Sequence, residues 1–398
     1  MGGKAKPAAV VLSPESPYPA IGGGPIRTAS LIEYLAGRYD LDLITFRQPG
    51  APDPRVGFPK GHFRSVHVID LPYHARGLAA RAARNLRRVW RGVAPLNDRF
   101  SGFEAEIAGI VGGERYQLAV VEHFWCAEYQ EQLAERAESV VLDLHNIESE
   151  FYERSASVAE SWPAAAMLRR FAGCARRLEE QWLPRFNRVL ATSNRDARLV
   201  QGVAPESTPL VYPNALPLRP APEVPREPVI VFSGNLEYGP NRGAVRYFRE
   251  RIWPRLRERR PELRWRLIGK NPQAVKAIVA GDPRIELTGP VQDALAALAA
   301  AQVAVVPVLA GSGTRIKILE AWAAGLPVVS TRLGAEGLEA VAGEHVLVAD
   351  DADGFLEAIR QLLDSEALRA RVGAAGRALY EREYTWEAAW QRLNVAGF

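Results

Sequence analysis

Short apolar runs alternate with stretches of helical periodicity along the whole chain. In the first half the runs predict strands over residues 8–12, 41–46, 66–69, 118–121, 140–142 and 189–192. In the second half they predict strands over residues 229–232, 264–268, 303–306, 327–330 and 345–348. Continuous apolar runs are typical of buried parallel strands, which need helical crossovers between them. The pattern therefore predicts an α/β protein with parallel sheets.

A proline-rich segment, residues 216–228, interrupts this alternation. It contains Pro217, Pro220, Pro222, Pro225 and Pro228. Proline at this density excludes helix and central strand and stiffens an extended linker. We therefore predict two Rossmann-like, doubly wound domains, over residues 1–215 and 229–375, with further helices over residues 376–398. Two such domains would face a central cleft, where the carboxyl ends of their strands can bind ligands.

The glycine-rich loop after the predicted strand at residues 303–306 carries the clearest chemistry. Gly311 and Gly313 permit a tight turn, and a helix is predicted from about Thr314 to Ala324. The unpaired N–H groups of such a helix start favour an anion, typically phosphate. Lys317 and Glu320 share a helical face, so a lysine for phosphate and a carboxylate for ribose hydroxyls would stand together. The alternative is an ordinary βα unit with a solvated Lys–Glu pair.

The string from Gly311 to Val329 resembles the donor-binding signature of glycosyltransferase family 4, whose members have the GT-B fold. The resemblance covers nearly the whole chain. It implies that the phosphates of a nucleotide diphosphate sugar meet the loop residues and that Glu320 meets the ribose. Members commonly carry a first glutamate eight positions earlier, and that position is Ser312 in this chain. The loop residues assigned to substrate are Gly311, Ser312, Gly313 and Thr314.

The same resemblance assigns the leaving-group charge to two cations, Arg315 and Lys317. Retention of anomeric configuration follows from membership of the family, and the helices over residues 376–398 would cross back onto the first domain. We predict no metal and no other cofactor, because the Asp-x-Asp signature is limited to Asp40 and Asp42 at a predicted strand start.

A second glycine-rich loop follows the first predicted strand. Gly22, Gly23 and Gly24 are adjacent and precede a helix predicted to begin near Arg27, so they do not form a dinucleotide fingerprint. A flexible surface turn is the local alternative. In the family that the chain resembles, this loop approaches the donor phosphate and the acceptor, which assigns Gly22, Gly23, Gly24 and Arg27 to substrate binding.

His145 follows the predicted strand at residues 140–142. Polar residues at the carboxyl end of a strand in an open α/β sheet are often functional. The resemblance implies that His145 hydrogen-bonds the transferred sugar near the reacting carbon. Glu122 and His123 occupy the same place after the preceding strand and are the second choice, with a structural role favoured.

Three further segments of the second domain are assigned by the resemblance. Gly234 and Asn235 form a strand-to-helix turn that can approach phosphates, and Lys270 supplies a positive charge. Val291 lies in the loop whose backbone usually meets the nucleotide base.

Composition excludes several other classes of protein. The net charge is +4 over 398 residues, which does not argue for nucleic acid. Two cysteines give neither a disulfide framework nor metal-ligand spacing, and residues 8–12 are too short for the apolar segment of a signal peptide. We therefore expect a cytoplasmic protein.

Residues 76–91 contain six arginines, and no acidic residue occurs between Asp70 and Asp98. Arg81, Arg84, Arg88 and Arg91 share a helical face, with apolar residues broadly on the other. A basic amphipathic helix suits the anionic inner face of a membrane. The alternative is a solvated arginine face over core packing.

The sequence therefore predicts a glycosyltransferase that moves a sugar from a nucleotide diphosphate sugar to a hydroxyl of a glycan, a lipid-linked molecule or a small molecule. Two alternatives remain open, a nucleotide-sugar epimerase on the same fold and a degenerate protein that binds without turnover. The donor sugar, the base, the acceptor and the oligomeric state are not written in the sequence.

Overall fold

A computed structural model describes residues 6–75, 77–159, 161–311 and 316–398. The chain divides into two compact units. Unit 1 comprises Met1–Pro213 together with Ala396–Phe398, and unit 2 comprises Asn214–Val395. The sequence had placed the boundary at residue 215.

Unit 1 is built on a parallel sheet with the strand order β3-β2-β1-β4-β5-β6-β7. Its strands are β1 (Ala8–Ser13), β2 (Asp40–Arg47), β3 (Phe63–Asp70), β4 (Tyr116–Glu122), β5 (Ala137–Asp143), β6 (Arg188–Ala191) and β7 (Pro209–Val211). Its helices are α1 (Gly23–Ala36), α2 (Leu78–Arg91), α3 (Pro95–Phe100), α4 (Glu104–Val111), α5 (Gln130–Ala134), α6 (Glu148–Ser157), α7 (Trp162–Trp182) and α8 (Asn194–Val203).

The central strands of unit 1 are buried on both faces. Val10, Leu12, Val121 and Leu142 are all inaccessible to solvent and belong to one core cluster. Complete burial of a side chain of this size contributes roughly 1.5–3 kcal/mol. Continuous apolar strands therefore fix the sheet, as the sequence pattern predicted.

Unit 2 has a second parallel sheet, with the strand order β10-β9-β8-β11-β12-β13. Its strands are β8 (Val229–Ser233), β9 (Arg264–Ile268), β10 (Ile285–Gly289), β11 (Val303–Val306), β12 (Val328–Ser330) and β13 (Leu347–Val348). Its helices are α9 (Gly239–Tyr247), α10 (Trp253–Arg259), α11 (Lys276–Val279), α12 (Ala294–Ala299), α13 (Ile316–Ala323), α14 (Ala352–Asp364), α15 (Glu366–Glu383) and α16 (Trp386–Val395).

Side-chain caps define where several helices begin. Asp293, Asp351 and Ser365 each accept a hydrogen bond from a backbone N–H of the first turn of α12, α14 and α15. Ser193 caps α8 in the same way. Each such cap contributes on the order of 1 kcal/mol, because it pairs an N–H that the helix leaves unsatisfied.

The predicted strands all occur, and two further strands, β7 and β10, were missed. Both lie at sheet edges. β7 is only three residues long and begins with proline, and β10 is only partly apolar, so neither has the long apolar run of a buried strand. Helix α1 begins at Gly23 rather than near Arg27. Helix α13 is described from Ile316, and the predicted start at Thr314 lies outside the described residues.

Residues 217–227 of the proline-rich segment, all of which the structure describes, form neither helix nor strand. The segment runs along unit 2, where the carbonyl of Pro217 accepts a hydrogen bond from Tyr380 and the N–H of Glu227 donates to Ala300. The C-terminal helices α15 and α16 belong to unit 2, and the last three residues belong to unit 1. There Tyr34 donates to the carbonyl of Phe398.

No helix among the described residues has both the length and the apolar character needed to cross a membrane.

Candidate functional site

Each sheet has one topological switch point, where the strand order reverses direction. In unit 1 it lies between β1 and β4, and in unit 2 between β8 and β11. Loops that leave neighbouring strands at such a point diverge and open a crevice, which is the usual ligand position in open α/β sheets. The predicted loops at Gly22–Gly24, His123, Gly234 and Gly311 all follow these four strands.

The switch point of unit 1 holds a network of buried charges. Glu122 and Asp143 are paired in register at the ends of β4 and β5, and neither is exposed. His145 Nε2 lies 2.8 Å from Glu122 Oε2 and 3.5 Å from Asp143 Oδ2. Thr28 Oγ1 donates to the same Glu122 oxygen over 2.9 Å. The network therefore holds one edge of the imidazole against two carboxylates.

Arg27 lies inside this network and is only 1% exposed. Its Nε is 2.9 Å from Asp143 Oδ2, and its Nη1 donates to the carbonyl of Tyr212 over 2.6 Å. The guanidinium also stacks over the Tyr212 ring, 4.7 Å from the centroid. The structure thus gives Arg27 a structural task beneath the glycine loop, and its role as a substrate ligand stays a prediction.

The two histidines of the site stack on one another. The ring centroids of His123 and His145 are 3.5 Å apart, and Trp125 covers the other face of His123 at 4.2 Å. His123 has a φ of +63°, which is uncommon outside glycine and marks a strained turn after β4. His123, the second choice from the sequence, therefore packs against the ring of His145, the first choice.

Gly24 of the glycine loop lies close to both of these rings. A Cβ added there would lie 3.5 Å from His123 Nε2 and 3.7 Å from both His145 Nδ1 and Glu15 Oε2. Two ring nitrogens and a carboxylate oxygen thus converge on the space beside Gly24. Gly22 has a φ of +98°, which favours glycine, and Gly23 is the first residue of α1.

The pKa values of the two histidines shift in opposite directions. Burial by itself lowers the pKa of His145, but hydrogen bonds and charges from Asp143 and Glu122 outweigh it and raise that pKa above its ordinary value. The pKa of His123 falls well below its ordinary value through burial and the positive charges of His145 and Arg27. Stacked on one another, His145 favours the imidazolium form and His123 stays neutral.

The pKa values of the two buried carboxyl groups, Glu122 and Asp143, also shift in opposite directions. Burial and the charge of Asp143 raise the pKa of Glu122. Burial works in the same direction on Asp143, but Arg27 outweighs it and lowers the pKa of Asp143. Glu122 is therefore hydrogen-bonded to His145, while Asp143 is ion-paired with Arg27.

Glu122, Asp143 and His145 also lie close enough together to hold a metal ion, and they are the group with this property among the described residues. Their chemistry does not favour one. Arg27 places a positive charge against Asp143, and Glu122 already accepts from Thr28 and His145. We assign the trio to a charge network.

In unit 2 the predicted phosphate turn is built by two glycines packed against each other. Gly234 and Gly269 both have a φ of +140°. A Cβ at Gly269 would lie 1.9 Å from the carbonyl oxygen of Gly234, so no larger residue fits. A Cβ at Gly234 would lie 2.9 Å from Asn241 Nδ2 and 3.4 Å from Lys317 Nζ. The loop backbone therefore closely approaches the lysine.

Lys317 and Glu320 both reach the carboxyl end of β8. Lys317 Nζ donates to Asn241 Oδ1 over 2.5 Å and lies 4.4 Å from the centroid of the Phe232 ring. Ser233 Oγ donates to Glu320 Oε2 over 3.2 Å. Burial raises the pKa of Glu320, although Ser233 and Lys317 oppose the effect. The structure brings together the lysine, the carboxylate and the glycine turn that the sequence predicted for a nucleotide diphosphate.

The remaining predicted residues lie on the same edge of this sheet or outside the described residues. Asn235 and Lys270 are exposed in the loops after β8 and β9, and Val291 is half-buried after β10. Gly311 is buried after β11, with a φ of +102°. The assignments of Ser312, Gly313, Thr314 and Arg315 fall on residues that the structure does not describe.

Sequence reasoning missed two partners, Ser233 and Asn241. Ser233 is the last residue of β8, and Asn241 lies in the first turn of α9. Small polar residues at a strand end were the available signal for Ser233. Asn241 meets Lys317 only through tertiary packing, 76 residues apart in the chain, and no local pattern reveals that contact.

Comparisons with known proteins agree with this geometry. Residues 227–365 match the family described as Glycosyl transferases group 1. A GDP-mannose-dependent monoacylated alpha-(1-6)-phosphatidylinositol monomannoside mannosyltransferase of Corynebacterium glutamicum is 38% identical over 110 residues, which cover 26% of this chain and 29% of that protein. The stretches matched in the curated relatives thus span less than a third of those proteins.

Solved structures match over nearly the full chain. Sucrose-phosphate synthase from Thermosynechococcus elongatus has a TM-score of 0.69 at 20% identity, over 98% of both chains. Anabaena HepE, solved with UDP and glucose, has a TM-score of 0.66 at 14% identity, over 98% of this chain and 99% of that one.

The class of protein follows from both kinds of match. Residues 227–365 of unit 2 match the group 1 glycosyltransferases, and the two parallel-sheet units have the GT-B fold. The predictions of a glycosyltransferase family and of the fold class are confirmed. Assignment to family 4 and to a retaining mechanism stays a prediction.

If the charge network raises the pKa of His145, removing one of its carboxylates should lower that pKa. Glu122→Gln removes a buried carboxylate that hydrogen-bonds Nε2, so the pKa of His145 should fall. Side-chain ¹⁵N spectra of histidine-labelled protein over a pH series measure this, with His145→Gln identifying the signal. Glu179→Gln is the matched control, because Glu179 is equally buried but hydrogen-bonds Ser149. An unchanged pKa of His145 in Glu122→Gln would contradict the network.

Proposed function

We propose that the protein is a glycosyltransferase that moves a sugar from a nucleotide diphosphate sugar to a hydroxyl acceptor, with retention of anomeric configuration. The observation that carries the proposal is the position of Lys317 and Glu320 beside Gly234, at the switch point of unit 2. A cation, a carboxylate and a close backbone turn form the set that a nucleoside diphosphate requires.

Each group then has a separate task in donor binding. Lys317 and the N–H groups of the glycine turns hold the diphosphate, since both offer donors to anionic oxygens. Glu320 accepts hydrogen bonds from the ribose hydroxyls. Ser233 keeps its carboxylate in place, and Asn241 holds the ammonium group where the phosphate would arrive. HepE, a structural neighbour, was solved with UDP, and the relative from Corynebacterium glutamicum is described as GDP-mannose-dependent, which supports a donor of this class.

Transfer breaks the bond between the anomeric carbon and the diphosphate oxygen and forms a bond to the acceptor oxygen, which passes its proton to the departing diphosphate. Positive charge develops on the sugar ring and negative charge on the leaving group. Lys317 and Arg315 are assigned to the leaving group, where fixed charges are most effective. His145 presents Nδ1 on the side of Gly24 and is assigned to a hydroxyl of the transferred sugar. We propose that no metal is required.

We propose a lipid-linked acceptor at the inner face of the cytoplasmic membrane. The relative from Corynebacterium glutamicum is described as acting on a phosphatidylinositol monomannoside, which supports an acceptor of this kind.

A donor screen tests the function directly. Purified protein is incubated with a panel of radiolabelled UDP- and GDP-sugars, with lipid extract or soluble acceptors, and with or without EDTA. We expect labelled glycoside from one donor, with its anomeric configuration retained and with full activity in EDTA. Interconversion of donor sugars without an acceptor product would instead indicate an epimerase. Tight nucleotide binding without any product would indicate a degenerate binding protein.

Substitutions in the proposed nucleotide site should weaken nucleotide binding. Lys317→Ala and Glu320→Ala should each weaken binding of the nucleoside diphosphate by about 1.5–3 kcal/mol, the value of a hydrogen bond to a charged group. Titration calorimetry with UDP and GDP measures the loss. Lys276→Ala is the control, because Lys276 is an exposed lysine on α11 of the same unit. Unchanged affinity in both folded variants would refute the site.

Substitution of His145 should lower turnover and leave donor affinity nearly unchanged. His145→Ala removes a contact to the reacting sugar, which counts most in the transition state. We expect kcat to fall at least tenfold, about 1.4 kcal/mol of transition-state stabilisation, while the dissociation constant of the nucleotide stays within twofold. Steady-state kinetics and calorimetry measure the two separately. Wild-type turnover in a folded variant would remove His145 from the mechanism.

A further inference from the structure

Helix α2 has its apolar side turned to solvent. Leu78, Leu86 and Trp90 are 83%, 71% and 86% exposed, and no residue of the helix is buried. With Ala82 they recur every four residues, so they form one strip along the helix, which we call the α2 strip. At 1.5 Å per residue the strip is about 20 Å long.

The arginine side of α2 faces the protein instead. Arg84 donates to the carbonyl of Ala75 over 2.8 Å. Arg88 and Arg91 donate to the two oxygens of Asp98 over 2.8 and 2.9 Å. Three of the four arginines that the sequence grouped on one face are therefore engaged with unit 1.

Packing confirms this orientation of the helix. Val89 of α2 packs against a small cluster elsewhere in unit 1 that contains Tyr152 and Phe171. Ala80, Arg84, Asn85 and Arg88 are half-buried, whereas the α2 strip is exposed. The alternative from the sequence placed the apolar face of α2 on the core and its arginines in solvent. The structure shows the opposite arrangement.

Exposed arginines border the α2 strip on both sides. By helical rotation Arg81 lies beside Leu78 on one edge, and Arg87 lies beside Trp90 on the other. Both are exposed, and the chain has no acidic residue from 71 to 97. An apolar strip with basic edges and an interfacial tryptophan matches the polar-to-apolar boundary of an anionic bilayer.

We propose that the α2 strip inserts into the surface of an anionic lipid bilayer, with α2 lying in the plane of the membrane. Leu78, Leu86 and Trp90 enter the acyl boundary, and Arg81 and Arg87 lie at the depth of the phosphates. A lipid surface suits the strip better than an acidic protein, because the strip lacks polar groups that a protein partner could recognise. The proposal stands apart from sugar transfer, since it concerns docking alone.

Insertion and simple charge attraction differ in their response to salt. Electrostatic attraction weakens as salt shortens the Debye length, whereas burial of apolar side chains does not. The α2 strip should therefore keep part of its binding to anionic vesicles at high salt, and serine substitutions on the strip should remove that part.

Vesicle cosedimentation tests the proposal. The full chain is mixed with vesicles of phosphatidylcholine, with or without a quarter of phosphatidylglycerol, at low and high salt. We expect binding to the anionic vesicles, and a loss of about tenfold or more in the partition coefficient for Leu86→Ser/Trp90→Ser, since each substitution removes a large apolar side chain. Val341→Ser/Val395→Ser is the matched control, because both valines are exposed residues of unit 2.

Three results would overturn the proposal. Wild-type protein that fails to bind anionic vesicles would do so, as would equal partitioning of the strip variant and the wild type. The third is self-association: a wild type that dimerises in sedimentation velocity, with a monomeric strip variant and no vesicle binding by either, would show that a second copy covers the strip. Loss of sugar transfer alone would neither support nor contradict the proposal that the α2 strip inserts into a bilayer.

Discussion

A charge buried at the end of a parallel strand must be paired, and the candidate site of unit 1 depends on this constraint. Asp143 is inaccessible to solvent and would be strongly destabilising without Arg27, since removal of one partner from a buried pair costs about 3–5 kcal/mol. Glu122 meets the same requirement through its hydrogen bonds with His145 and Thr28. The pairing fixes the imidazole edge-on to the carboxylates, so the ring nitrogen that remains for chemistry is Nδ1.

In unit 2 the charged side chains Lys317 and Glu320 lie on helix α13 and are only half-buried, so their pairing is less strict. Lys317 contacts an amide oxygen of Asn241 and the face of Phe232, and Glu320 accepts from the hydroxyl of Ser233. The amide of Asn241 and the hydroxyl of Ser233 are neutral groups, which a diphosphate or a ribose can replace or extend. The difference between the units is consistent with a preformed charge network in one and a ligand-ready site in the other.

The sequence predicted the parts of the molecule that local pattern controls. Buried strands are continuous apolar runs, and the positions of Lys317, Glu320 and His145 follow from strand ends and helical spacing. It could not predict what tertiary packing controls. Asn241 meets Lys317 across the fold, Arg27 is drawn beneath its loop by Asp143, and the rotation of α2 depends on Asp98, which lies beyond the helix.

The most direct measurement is a crystal structure of the protein with the nucleoside diphosphate that calorimetry selects. Our account predicts ribose hydroxyls within hydrogen-bond distance of Glu320, and phosphate oxygens beside Lys317 Nζ and the backbone of Gly234. A nucleotide bound elsewhere, with Lys317 still on Asn241 and Glu320 still on Ser233, would contradict the account.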